Sequence, residues 1–231
     1  MGDKKTASPP SGGDNSRMDR RYANGLETRA RILDAAVVVF GEHGYHGSSL
    51  RAIASVAGIT HPGLLYQFPN KAALLIALLE DRDIANSKVI AQAIDSGDSH
   101  FDGMVNLLCS NAEQAELVEL FMIMASEATR LDHPGHDYFK QRYAGVLERM
   151  ESQLVDSADD GRLVPGVDPA VMARVLVAVM DGLQIQWLMS RQPDSDSPEI
   201  DMAAHFAALL SVLLPTWKPE TAVGDPPSTA G

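Results

Sequence analysis

The chain has 231 residues, 45% apolar and 22% charged, which excludes wholesale disorder and collagen-like repetition and leaves room for one large domain or two modest ones. Its single cysteine, Cys109, excludes an intrachain disulfide framework and a thiolate zinc cluster, and points to a reducing, cytosolic compartment. The net charge of −12 argues against nucleic acid until it is divided: residues 1–71 carry nine Lys/Arg against six acids, a cationic module, and residues 72–231 carry ten against twenty-five, an acidic body.

Residues 1–24 run through Lys4-Lys5, Pro9-Pro10 and Ser11-Gly12-Gly13 to Arg17, Arg20 and Arg21 with few large apolar side chains, so a mobile leader is expected there. The leader lacks the apolar run of a secretory signal. No alternating strand pattern and no internal repeat follows. A first helix is predicted over residues 26–43, where Leu33, Val37 and Phe40 recur at helical spacing with Ala30 and Ala36 beside them, and Gly44 stops it. Ser48 or Ser49 caps a second, short helix with Leu50, Ile53 and Ala54 facing inward, and Gly58 ends it. Thr60 caps a third, with Pro62 in its first turn, where a missing N–H costs little. Phe68-Pro69 closes that helix, and Asn70 caps a long fourth beginning at Lys71.

Two short helices joined by a glycine-containing turn, supported by a longer helix before them, follow the helix-turn-helix plan. The ordered string is more specific than the plan. It reads Thr28-Arg29-Ala30-Arg31-Ile32-Leu33-Asp34-Ala35-Ala36, then Phe40-Gly41-Glu42-His43-Gly44-Tyr45, then Ser48-Ser49-Leu50-Arg51-Ala52-Ile53-Ala54, Ala57-Gly58-Ile59-Thr60 and Phe68-Pro69-Asn70-Lys71. Residues 25–75 thereby resemble the DNA-binding domain of TetR-family transcriptional regulators. The resemblance implies an all-α protein: a three-helix helix-turn-helix domain followed by a helical ligand-binding and dimerisation domain. It also implies a ligand-responsive regulator, a repressor in the commoner mode, that binds a palindromic double-stranded operator as a homodimer and is released by a small-molecule effector. In one respect the chain departs from the family. The family commonly has Leu-Tyr followed by two residues and Phe, whereas Leu64-Leu65-Tyr66-Gln67-Phe68 puts Leu65 where that tyrosine stands.

Helical geometry places Leu64 and Phe68 on one face of the third helix with Leu65 flanking it, packed on the first helix. Pro62, Gly63, Tyr66 and Gln67 point the other way, toward DNA. Gly63 permits close approach, Gln67 suits an adenine edge and Tyr66 a phosphate, and the free N–H groups of the first turn favour an anion. His61 lies in the opening turn, either at the DNA or solvated. Phosphate partners are expected in Arg51, Lys71, Thr60 and one of Ser48 and Ser49, with Thr28 and Arg29 at the entrance of the first helix. Arg17, Arg20 and Arg21 read either as a minor-groove arm or as plain leader.

The body, residues 76–215, is predicted to hold helices over 107–127, 138–156, 169–190 and 199–214, before a frayed tail at 216–231. Residues 171–189 are nearly all apolar, but Arg174, Asp181, Gln184 and Gln186 interrupt them, so a membrane span is not expected. A helix apolar on most sides must be covered on most sides; the last two helices packing with their copies would make a four-helix dimer interface. Met104, Phe121, Met122, Met180, Gln184 and Trp187 are potential pocket-lining groups, and equally ordinary core. Asp132-His133-Pro134-Gly135-His136-Asp137 follows no metal-ligand spacing and reads as a polar loop; no metal and no cofactor is expected.

No dinucleotide, phosphate-loop, metalloprotease or serine-elbow motif occurs, so an enzyme is not expected. Cys109 reads as a buried thiol. The competing function is a helical small-molecule-sensing interaction module without specific DNA binding, which would have no need of Arg51, Thr60 and Lys71 where they stand.

Overall fold

Side-chain caps start three of the first four helices. Helix α1 (Gly13–Gly47) turns sharply at Gly44, whose φ of 66° and ψ of 178° suit glycine alone. Helix α2 (Leu50–Val56) starts at Ser49, whose hydroxyl accepts from the Ala52 N–H. Helix α3 (His61–Gln67) starts at Thr60, which accepts from Gly63, and ends where Phe68 turns extended before Pro69. Helix α4 (Lys71–Asp95) starts at Asn70, which accepts from Ala73 at 2.8 Å. Each such cap is worth about 1 kcal/mol. The computed structural model describes residues 13–192, 195 and 198–218, with side chains from residue 23 onward.

Five more helices form the body: α5 (His100–Ala112), α6 (Ala115–Glu127), α7 (His136–Asp159), α8 (Pro169–Ser190) and α9 (Met202–Leu213). Among the described residues there is no strand. Ile32, Ala36 and Phe40 of α1 pack on Ile53, Leu64, Phe68 and the Leu74–Leu75 and Leu78–Leu79 pairs of α4. That core continues into Leu120, Phe121 and Met124 of α6 and Phe139 of α7, so the helix-turn-helix is seated on the body rather than tethered to it. A second core joins α5, α7, α8 and α9 through Phe101, Leu108, Leu154, Leu176, Trp187 and Phe206.

Several expectations need correction. Helix begins at Gly13, not near residue 26, and no proline interrupts it up to Gly47; residues 1–12 of the expected leader lie outside the described residues. Ala30 is exposed, and Ile32, Ala35 and Val39 join the buried stripe instead. The single helix expected over 107–127 is two, parted at Glu113–Gln114, because α5 packs on α4 and α9 whereas α6 packs on α1 and α8. The tail is anchored at its start: Trp217 packs on the second core and its Nε1–H donates to Asp102 at 3.1 Å. Residues 219–231 lie outside the described residues. Helix α8 is long and apolar enough to cross a membrane by length and composition, yet Ala173, Leu176, Met180, Leu183 and Trp187 are buried in the body's core.

Candidate functional site

The helix-turn-helix presents one edge of α3 outward. Leu64 is fully buried and Phe68 nearly so, while Pro62 is exposed and Tyr66 is 88% exposed. Gly63, Gln67 and His61 are partly exposed along the same short helix. Leu65, expected to pack inward, is 38% exposed and belongs to the outer edge beside Tyr66: α3 touches its support along one narrow line. Arg51, Ser49 and Thr60 are exposed at the starts of α2 and α3. One N–H of α3's first turn, that of Gly63, is already taken by Thr60, and Ser49 is likewise engaged as a cap.

Two expected phosphate partners are used internally. The Lys71 ammonium donates to the carbonyls of Tyr45 (2.6 Å) and Ser48 (2.9 Å) and lies 4.3 Å from the centre of the Tyr45 ring, and burial holds its pKa below the usual lysine range. Ser48 is buried, with its hydroxyl donating to the Tyr45 carbonyl. Thr28 and Arg29 stand in the middle of α1 rather than at its entrance: Thr28 donates to the Asn24 carbonyl, and Arg29 lies over the Phe68 ring and 3.5 Å from Asp81, bracing α1 against α4. Arg17, Arg20 and Arg21 fall in the first turns of α1, and their side chains lie outside the described residues.

The histidine loop is a packed junction rather than a polar surface loop. His133 is buried; its Nδ1 accepts from the Gly135 N–H, and its Nε2 lies 3.5 Å from Glu127. His136 Nδ1 sits 2.9 Å from the Ala128 carbonyl. Among the described residues no three His, Cys, Asp or Glu cluster as a metal site. Cys109 is exposed, not buried, and partial burial of its thiol, with Asp201 and Glu113 nearby, pushes its pKa up, so it is a poor nucleophile.

A cavity of about 290 Å³ opens between α4, α5, α7 and α8. Four expected residues line it, Met104, Phe121, Met180 and Gln184. Met122 packs between the two cores instead, and Trp187 is buried with its Nε1–H donating to Glu199. The charged lining is what the sequence reading missed. Arg82 and Asp83 of α4 and Arg142 of α7 surround Phe121, the two guanidiniums lying 3.9 and 4.6 Å from the ring centre. Asp83 accepts from Arg142 Nε at 2.8 Å and from the Tyr138 hydroxyl, while Tyr143 donates to Asp181 at 2.7 Å. Burial raises the pKa of both phenols and of Asp181. A signal for Arg82 was present: it extends the stripe Leu74, Leu78 at four-residue spacing, on the face of α4 that packs inward.

Comparison with known proteins matches residues 32–78 to bacterial regulatory proteins of the tetR family and residues 103–211 to the C-terminal domain of BetI-type transcriptional repressors. The transcriptional regulator UidR of Escherichia coli K12 is 28% identical over 170 residues, 72% of this chain and 84% of that protein. Among solved structures, SmeT, the repressor of the Stenotrophomonas maltophilia multidrug efflux pump SmeDEF, superposes with a TM-score of 0.65 at 25% identity, over 86% of this chain and 97% of its own. The SmeT–triclosan complex superposes with a TM-score of 0.67 at 24% identity, over 87% and 99%.

Proposed function

The chain belongs to the tetR family of bacterial regulatory proteins, and from that premise we propose that it represses transcription by binding a palindromic operator as a homodimer, released by an effector in the α4–α8 cavity. The family is one of DNA-binding transcriptional regulators, not enzymes, and the interaction-module alternative has no use for a helix-turn-helix of this kind. The chromosome it acts on places it in the cytoplasm.

The observation that carries the reading is the outward edge of α3, where Pro62, Leu65 and Tyr66 stand exposed on a helix whose other side is buried. Such an edge fits the major groove, with Gln67 and Tyr66 toward bases and phosphates and Arg51 and Thr60 on the flanking backbone. The second copy is supported by α8 and α9: Val171, Val175, Ile185 and Met189 on α8 and Val212 on α9 are apolar and exposed in the single chain. A dimer paired through these faces reads a palindrome when its two α3 helices stand about 34–36 Å apart, one turn of duplex.

The cavity touches two levers. Helix α4 carries Arg82 and Asp83 in the cavity wall and Lys71 at its start under the helix-turn-helix. Helix α6 carries Phe121 in the wall and Glu127 at its end, bonded to Tyr45. An effector that prefers one arrangement of α4 and α6 therefore biases the spacing of the two α3 helices. Selection of bound sequences from random duplex DNA tests the reading. A palindrome with half-sites one helical turn apart is expected; recovery of no enriched sequence would overturn it.

A further inference from the structure

In the cavity wall Asp83 and Arg142 pair with each other and Asp181 accepts from Tyr143, whereas the buried Arg82 has no such partner. Arg82 is 5% exposed, forms no ion pair among the described residues, and its Nη1 has no hydrogen-bond partner. The adjacent carboxylate, Asp83, is committed to Arg142 and Tyr138. Phe121 supplies a ring face to the Arg82 guanidinium but no acceptor oxygen. Burial and the neighbouring Arg142 lower its pKa to about 10, which leaves it cationic at neutral pH. A buried guanidinium without an acceptor is costly unless something supplies one. The wall also holds Arg149 and Asp181, so three guanidiniums face two carboxylates, and burial and Arg149 lower the pKa of His100. A second orphan faces the same space: Gln184 is buried, its amide N–H reaching the Met180 carbonyl at 3.3 Å while its Oε1 accepts nothing. Met104, Leu107, Val177 and Met180 supply apolar surface.

We propose that the effector is a small amphipathic carboxylate carrying one N–H or O–H donor, its carboxylate on Arg82, its donor on Gln184 and its apolar body against Met104, Leu107, Val177 and Met180. This rests on the reading of the cavity as the effector site. Arg82 and Phe121 then place the anion between α4 and α6, the two helices that reach the helix-turn-helix.

The test is calorimetric titration of the full chain with a panel of aryl and branched-alkyl carboxylates of up to about 15 heavy atoms, each paired with its neutral amide, on the scale of a cavity this size. 4-Hydroxyphenylacetate, its amide, tyramine and phenylacetate form one set, and inorganic phosphate is the bare-anion control. At least one carboxylate should bind at least tenfold more tightly than its amide and its amine. Arg82→Met should abolish that preference, Arg82→Lys should keep part of it, and Gln184→Leu should remove the advantage of the hydroxylated member over phenylacetate. Circular dichroism confirms that each variant is folded. No carboxylate outbinding its amide, phosphate binding as tightly as the best carboxylate, or an undiminished preference in Arg82→Met would overturn the inference. Duplex selection by the same protein separates the two readings. An enriched palindrome with an inert panel leaves the regulator standing and sinks the carboxylate, whereas a bound carboxylate with no enriched duplex does the reverse.

Discussion

The Tyr45 backbone N–H donates to Glu127 Oε2 across 3.1 Å, joining the residue just past the kink in α1 to the last residue of α6. The Tyr45 carbonyl is held from the other side by Lys71 at the start of α4. One peptide segment of the helix-turn-helix is thus gripped by two of the helices that line the cavity. His133 packs edge-on to the Tyr45 ring and approaches the same Glu127 oxygen, closing the junction.

Gly44→Ala should loosen this junction. A Cβ there would sit 2.5 Å from Glu127 Oε1, and the φ of +66° with an extended ψ is strained for any L-residue. Glu127 can swing away only by giving up Tyr45. A loss of about 1–3 kcal/mol in urea unfolding is expected. Glu127→Gln should cost less alone, and the double variant should be less destabilised than the sum, because both act on one contact.

Tyr66→Ala and Gln67→Ala should weaken operator binding by roughly tenfold or more each and leave unfolding free energy within about 0.5 kcal/mol for Tyr66, which is almost fully exposed. Leu64→Ala, by contrast, should cost about 2–5 kcal/mol of stability, since the side chain it truncates is completely enclosed. Fluorescence anisotropy on the selected operator, with denaturant titrations alongside, checks both.

Lys71 and Arg51 should behave differently in salt. Arg51→Ala is expected to reduce the slope of log affinity against log salt by about 1, as for a lost phosphate contact. Lys71→Met should leave that slope unchanged while destabilising the fold by about 1–3 kcal/mol, because its ammonium serves the Tyr45 and Ser48 carbonyls. A reduced slope in Lys71→Met would mean that its third N–H donor reaches DNA.

Val171→Glu and Met189→Glu should give a monomer by sedimentation velocity, with the helical content intact and operator affinity sharply reduced. Both side chains lie on the outer side of α8, more than half exposed in the single chain, so a charge costs nothing unless a second copy covers them.

Acid should destabilise the protein as the pH falls through about 6.5, the ordinary histidine value. Burial holds the His133 and His100 pKa values below it, so the unfolded chain binds these protons first. The stabilisation is complete above about pH 6.5 and is lost as pH falls through each folded-state pKa. His133→Asn, which can still accept from Gly135, should flatten the profile in this window; thermal unfolding between about pH 5 and 7.5 measures it.

The helix-turn-helix was legible because its determinants are local. Ser49, Thr60 and Asn70 each accept from the N–H three residues on, Gly44 and Gly58 take positive φ, and Pro69 forces Phe68 out of the helix; chain proximity alone fixes all of these. The burial of Leu64 and Phe68 followed from helical period. Leu65 did not, because its angle lies at the margin of the face and only the shape of the support decides which side of the margin is covered.

What the chain alone determined, then, is the family, the all-helical architecture and the segment that faces outward at α3, since caps, breakers and periodicity act over three or four residues. The tertiary structure alone decided the break at Glu113–Gln114, the inward use of Lys71 and Ser48, and the orphan guanidinium of Arg82. Each depends on partners from helices distant in sequence. A cation's role is set by whether water or protein supplies its acceptors, and that is known only once the helices have packed.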